Sequence, residues 1–542
     1  MSSNKRIYLD GIEKSLLEKC KQRIIVISVV FFVTFLVVNF KLIAISQPLK
    51  EKEATSYNTI SNLKRGKILD RNGNILAVSL PTWSLYSNNH KVINPDSTAK
   101  NINRILPDLD KSEILSKLVS NKNFIYIARH LKPDVAKEIN RIGEPGLNFE
   151  KEYLRVYPYN DEISHIVGYV GKGKIGLSGI ELKYNDRLSN GEDIQLTIDS
   201  RVQFKLNKIL LKGMNEYKYK GAVGIVMKVK TGEIISAVSL PSFNPNIYNN
   251  FQPTVNQITS AVFEMGSIFK SFTIASSLNE NIVNLESNFD ATKPLVINKK
   301  TIRDDHPQNK HLLLEEVFLY SSNIASAQIA LMLGKEKQSN YFSQLKLDTI
   351  LDTGIPEVQY PLIQKSKRDI HVATKSYGHG ISVAPINVLA ALNATINDGI
   401  YVEPFFVKDQ KFINRPRIKI FKKEVSELMK DFYRNVVEKK GGTASKARSQ
   451  HYLIGGKTGT AEKVIDGKYH HLKVVSSFIS FLPIDEPKYA IFVLVDEPKA
   501  FDNILGRTAG FNAVPLTKEI ILEIAPILSE KSINLNNKIV VN

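Results

Sequence analysis

The sequence predicts an α+β protein carried behind an N-terminal membrane helix, and three observations lead there. Strand-like runs cover 222–240 and recur around 455–495, far apart in the chain. The segments between them carry apolar residues at helical spacing, which suggests one sheet assembled from distant pieces with helices between. Near the start, Ile24 to Phe40 is apolar and free of charge.

That run, extended to Ile45, includes only Lys41 as a charge and is long enough to span a bilayer. Lys5, Arg6, Lys14, Lys19, Lys21 and Arg23 precede it against Asp10, Glu13 and Glu18, so the positive-inside rule puts residues 1–23 in the cytoplasm. Ala44-Ile45-Ser46 resembles a signal cleavage site, but the apolar run exceeds the core of a signal peptide, and we read an uncleaved anchor over 24–45.

Residues 46–63 are polar and read as a stalk. Two short strand-like runs flank Asp70-Arg71-Asn72-Gly73, a hairpin signal. Helical segments and loops share 91–150, and Arg155–Pro158, His165–Gly171 and Gly176–Glu181 read as turn-rich. Gly171-x-Gly173-x-x-Gly176 matches a dinucleotide fingerprint only on paper, because no amphipathic helix follows it; hairpin turns explain it better. Asp193–Asp199 reads as a strand entering a helix from Ser200 that carries Val202, Leu206 and Ile209. Further helices are expected after Ser267, over Glu315–Leu333, from Pro385 to Ile396 and at about 514–529.

Composition narrows the function. The chain has 542 residues and a formal charge of +19. No Lys/Arg block dominates, so the charge reads as a lysine drift spread over the chain, and no nucleic-acid motif accompanies it. The one cysteine, Cys20, precludes internal disulfides, and no cysteine or histidine spacing suggests a metal site; no cofactor is expected.

Three motifs carry the chemistry: Ser267-Ile268-Phe269-Lys270, Ser321-Ser322-Asn323 and Lys457-Thr458-Gly459-Thr460. Each recurs elsewhere, so context decides. Gly266 lets the chain turn before Ser267, and the residues after it have helical spacing, placing Ser267 at a helix N-terminus. Lys230-Thr231-Gly232 sits instead at a hairpin tip, between Ala222–Val229 and Glu233–Val238. Lys457-Thr458-Gly459 precedes a second strand-like run, Val474–Phe481, and reads as an edge strand with Gly459 leaving room for substrate to approach the backbone.

On a helix, residues three apart share a face, so a neutral Lys270 amine would take the proton of Ser267. Burial or a neighbouring cation, for which Lys457 is the candidate, would lower its pKa. Asn323 would anchor Lys270 and a substrate amide, and Ser321 would relay the proton to the leaving amine. Backbone N–H groups of Ser267 and Thr460 would form an oxyanion hole. Lys457, Thr458 and Thr460 would hold a terminal carboxylate.

With these motifs stand Arg65–Ala77, Arg155–Pro158, Gly176–Glu181, Leu196–Gln203, Ser376–Gly380, Gly442-Thr443-Ala444 and Gly455–Ala461. Together they resemble the class B penicillin-binding proteins, and within them the division (FtsI) type. The resemblance implies an antiparallel transpeptidase sheet with helices over 193–529, an extended β-rich pedestal over 46–192, and a short tail over 530–542. It implies a Ser267 acyl-enzyme that cross-links D-Ala-D-Ala stem peptides during septal wall synthesis and is blocked by β-lactams. The catalytic part would lie outside the inner membrane. No glycosyltransferase domain is expected, so an FtsW-type polymerase and other division proteins would be partners. The alternatives are an elongation-type transpeptidase, favoured less by the compact pedestal and Glu264-Met265-Gly266-Ser267, and a silent scaffold for a partner polymerase. A carboxypeptidase, a lactamase or a β-lactam sensor fits less well. Met265 and Asp398-Gly399 depart from common family choices without touching a catalytic atom.

Overall fold

The computed structural model describes residues 6–46, 64–171, 173–247, 253–364, 368–499 and 504–529. The expected stalk and the 530–542 tail lie outside the described residues, apart from Ser46. Two units can be distinguished, residues 1–63 and 64–542. The first contains the helix Arg6–Ser46, of which Lys19–Lys41 is long and apolar enough to cross a membrane.

The second unit is built on a five-stranded sheet. Its strand order is Gly455–Ile465, Lys468–Leu482, Tyr489–Asp496, Gly221–Lys228, Ile234–Leu240, with every neighbouring pair antiparallel. The β-rich composition of these runs and the turn at Lys230–Gly232 account for the local pairing. Residues 221–227, 234–240 and 489–495 are all buried, so both faces of the sheet are covered. The helix Ser200–Tyr217 can approach because Gly224 has no side chain; a Cβ there would stand 2.8 Å from Leu210 Cδ1 and 2.9 Å from Leu206 Cδ1. Gly213 in turn admits Leu516 of the helix Ala513–Ile524.

The pedestal combines strands and helices. Ile75–Ser87 pairs antiparallel with Ile125–Leu131 and with Leu147–Val156. Helices Pro95–Ile105, Lys111–Leu118 and Pro133–Asn140 supply residues to a separate core around Leu85, Ile102, Ile114, Ile127 and Ile139. Ile68, Leu76, Tyr157, Ile166 and Ile194 belong instead to the large core that includes the five-stranded sheet.

Three landmarks of the sequence converge where pedestal and sheet meet. Glu181, fully buried, accepts Arg65 Nε at 2.6 Å and Arg155 Nε at 2.7 Å. Arg155 Nη1 also donates to the Gly66 carbonyl at 2.7 Å. The hairpin at Asp70 is tied down similarly: its carboxylate accepts from Asn72 N–H, Asn74 N–H and Ser200 Oγ at 2.7, 2.8 and 2.8 Å.

Three local expectations change. Only Ile194–Gln195 of the expected 193–199 strand is laddered, because its parallel partner Ile68–Leu69 is itself two residues long. Arg155 and Val156 are not in a turn but close the strand Leu147–Val156. The mostly helical region expected to contain Glu315–Leu333 is resolved into two helices, Leu314–Tyr320 and Asn323–Leu333, broken where Ser321 adopts φ 61°. Ser322 then caps the second helix by accepting Ala325 N–H at 3.1 Å.

Candidate active site

Ser267 lies in a turn of 3-10 helix, Gly266–Phe269, that runs directly into the helix Lys270–Asn279. The strand Phe263–Glu264 leads into it and pairs with Ile381–Val383. Gly266 has φ +55°, and a Cβ on it would lie 2.3 Å from the Thr460 carbonyl oxygen and 3.2 Å from Thr460 N. The Ser267 turn and the Lys457–Thr460 strand are therefore in backbone contact. Gly378 closes from another side; a Cβ there would lie 2.3 Å from the Gly266 carbonyl oxygen.

The break at Ser321 turns a hydroxyl toward two lysines. Lys270 Nζ donates to Ser267 Oγ at 3.0 Å and to Ser321 Oγ at 3.0 Å, and also to the Ser321 carbonyl. Lys457 Nζ reaches the same Ser321 Oγ at 3.0 Å and the Thr458 carbonyl at 3.3 Å. Both lysines are fully buried. Burial lowers the pKa of Lys270 to about 8 against the opposing pull of Asp305 and Asp304. Burial, and then the charge of Lys270, push Lys457 well below its ordinary value. Two ammonium groups sharing one hydroxyl disfavour each other, so the arrangement favours a single positive charge on the pair.

No hydrogen bond joins Asn323 to Lys270. Asn323 Nδ2 donates to the Arg303 carbonyl at 3.0 Å, while Lys270 Nζ donates to Ser267 and Ser321. Asp304, which the sequence reading missed, organises this corner: it accepts Ser322 Oγ at 2.8 Å and Ile324 N–H at 2.9 Å. Nothing in the sequence marks an aspartate in that loop as a helix anchor.

Thr458 and Thr460 line the cleft, whereas Gly459 faces inward. A Cβ on Gly459 would lie 2.3 Å from the Met265 carbonyl oxygen, 2.8 Å from Ser477 Oγ and 2.9 Å from Ile268 Cγ1. The glycine thus makes room for the serine-bearing turn, not for substrate. Thr443 Oγ1 and Thr458 Oγ1 are 2.7 Å apart, which brings Gly442-Thr443-Ala444 to the strand. The cleft, about 600 Å³, is lined by Ser267, Ser321, Asn323, Thr458 and Thr460, and also by Asp305, Tyr377, His379, Glu462 and Arg507. His379 stacks on Tyr469, whose hydroxyl donates to Glu264 at 3.2 Å, so the long hairpin after Thr460 is pinned beside the serine turn. The described residues contain no cluster able to hold a metal.

A buried lysine on a serine, a hydroxyl shared with a second lysine and a threonine-lined edge strand are the groups that acyl transfer through a serine would require. The family model for the penicillin binding protein transpeptidase domain matches residues 222–522, and that for the penicillin-binding protein dimerisation domain matches residues 60–201. The chain belongs to the class B penicillin-binding proteins, with a dimerisation and a transpeptidase domain. It is 35% identical to "Probable peptidoglycan D,D-transpeptidase FtsI" of Caulobacter vibrioides, over 86% of this chain and 82% of that protein. It is 27% identical to "Peptidoglycan D,D-transpeptidase FtsI" of Buchnera aphidicola subsp. Baizongia pistaciae, over 94% of each. In fold it matches Penicillin Binding Protein 2X of Streptococcus thermophilus with a TM-score of 0.72, at 22% identity, covering 86% of this chain and 80% of the other.

Proposed function

We propose that the chain is a septal peptidoglycan D,D-transpeptidase that works through a Ser267 acyl-enzyme. The observation that carries this is the proton route: Ser267 Oγ, Lys270 Nζ, Ser321 Oγ and Lys457 Nζ follow one another at 3.0 Å steps. Ser267 Oγ attacks the carbonyl carbon of the penultimate D-alanine while Lys270 Nζ takes its proton. The developing oxyanion is held by the backbone N–H groups of Ser267 and Thr460, one such donor being worth about 3 kcal/mol. The C–N bond breaks, Ser321 delivers the proton, and D-alanine leaves. An amine of a second stem peptide then attacks the ester; Ser267 recovers a proton and the new amide forms.

Thr458, Thr460 and Lys457 hold the donor's terminal carboxylate. Its arrival beside Lys457 favours the charged form of that lysine, which in turn favours a neutral Lys270. Asn323, at the cleft wall, binds the peptide amide. A β-lactam presents the same carboxylate and a strained amide, so it acylates the same serine. Residues 193–529 form the catalytic domain and 46–192 the pedestal. The helix over 24–45 anchors the protein with residues 1–23 in the cytoplasm and the catalytic domain in the periplasm. An FtsW-type glycosyltransferase supplies the glycan strands. The division role follows the FtsI names of the relatives.

The test is intact-protein mass spectrometry of the detergent-solubilised chain with benzylpenicillin, beside Ser267→Ala. A stable adduct on the parent and none on the variant is expected. No adduct with the drug intact would favour a silent scaffold, and no adduct with the drug hydrolysed would mean a lactamase.

A further inference from the structure

Arg507 is a cation of the cleft that the reaction above leaves unused. It closes the short turn Ile504–Arg507, and the stretch from Arg507 to Ala509 is fastened to the strands Gly455–Ile465 and Lys468–Leu482 at two points. Ser476 Oγ donates to the Arg507 carbonyl, and Ala509 N–H donates to Thr460 Oγ1 at 3.2 Å. Ser476 and Thr460 are themselves cross-strand partners. The backbone of Arg507 is thereby held beside Thr460, and Arg507 is among the residues that line the cleft, with Thr443, Thr458, Thr460 and Thr508.

Its Nη1 is buried and has no hydrogen-bond partner among the described residues. Leaving a guanidinium N–H desolvated without an acceptor is costly, and the planar fork of an arginine matches a carboxylate. The two neighbouring lysines make other contacts. Lys457 Nζ donates to Ser321 Oγ and to the Thr458 carbonyl, and Lys446 Nζ rests 3.6 Å from the centre of the Phe511 ring. Arg507 has a buried donor to spare beside the threonine row, and a ligand that enters the cleft would supply its acceptor.

We infer that Arg507 binds the free carboxylate of the donor's terminal residue, together with the hydroxyls of Thr458 and Thr460, and that it selects acyl donors ending in a carboxylate over those that are esterified or amidated. The assignment rests on the transpeptidase reading and adds to it a specificity residue outside the three motifs. Lys457 then acts on the carboxylate through its charge, while the guanidinium makes the directional contact.

The test uses the full chain in detergent and two acyl-D-alanyl thioesters with the same acyl group. One carries a free carboxylate on its thioglycolate leaving group, and the other is the methyl ester of the same compound. Acylation is followed by thiol release. R507Q is expected to lose about 10- to 100-fold on the carboxylate thioester while the ester rate changes less than about threefold, the loss of a charge-assisted hydrogen bond acting on one substrate only. R507K, which keeps the charge but not the fork, is expected to fall between. An equal loss on both thioesters would mean a structural role and overturn the assignment, as would an unchanged ratio. If R507Q does not fold, R507K decides: undiminished preference for the carboxylate overturns the assignment. A parent chain acylated by neither compound would overturn the transpeptidase reading and the assignment with it.

Discussion

Gly266→Ala tests how closely the serine turn and the catalytic strand are coupled. The added Cβ would stand 2.3 Å from the Thr460 carbonyl oxygen, 2.8 Å from the Thr460 carbonyl carbon and 3.2 Å from Thr460 N. An ordinary contact is about 3.4 Å or more, so the turn and strand must separate by about 1 Å. Both partners are backbone, and neither can relieve the clash by changing rotamer. The left-handed conformation, φ +55°, adds about 1–2 kcal/mol for a residue with a side chain. Overpacking of this kind costs a further 1–3 kcal/mol, roughly. On the proposed mechanism, a displacement of about 1 Å between Ser267 Oγ and the Thr460 N–H is expected to slow acylation about 100-fold. The control is Gly334→Ala, at φ +82° and ψ 157° with no atom within 4 Å of its Cβ, which carries a backbone cost of its own, in a nearly glycine-only region, without the clash. The assay pairs the second-order rate of acylation by benzylpenicillin with thermal unfolding. Gly334→Ala should melt earlier and acylate normally; Gly266→Ala should lose both. Acylation by Gly266→Ala at the parental rate would refute the argument that this backbone contact sets the site.

Other expectations are simpler to state. Glu181→Ala removes the shared partner of Arg65 and Arg155, both buried, and should destabilise the 64–542 unit by about 3–5 kcal/mol, read by denaturant or thermal unfolding; a change under about 1 kcal/mol would show that the pair is solvated. With Lys270 titrating at about 8 and acting as a base only when neutral, the acylation rate should rise as pH passes upward through about 8 and level off above it. Asp305 raises that pKa, so Asp305→Asn should move the midpoint to lower pH; a midpoint that stays put would exclude the coupling. A chain beginning at Lys64 contains the whole compact second unit and should remain folded, soluble and able to bind penicillin; aggregation would show that it needs the preceding residues.

Much of this protein was legible in its residues because the signals are local. The apolar run from Ile24, the Asp70–Asn74 turn and the Thr231-Gly232 hairpin each depend on neighbours a few positions away. The three motifs could likewise be recognised by order and context, since a helix puts Lys270 on the face of Ser267 whatever surrounds it.

Other features depend on which distant segments meet, and only the tertiary structure decides that. In the sequence Glu181 only ends the turn-rich Gly176–Glu181; that Arg65 and Arg155 close on it from two other segments is decided by the fold. The Glu315–Leu333 run has continuous helical character, yet the chain breaks at Ser321, where the hydroxyl meets Lys270 and Lys457 and Asp304 anchors the helix that follows. Gly459 looks like space for a substrate, and register turns it toward Met265 instead. Along a strand, alternate residues face opposite sides, so Thr458 and Thr460 take the cleft and the glycine between them takes the core. Residue type and spacing are written in the chain; which face is inward, and which charge finds a partner, follow from how the sheet is assembled.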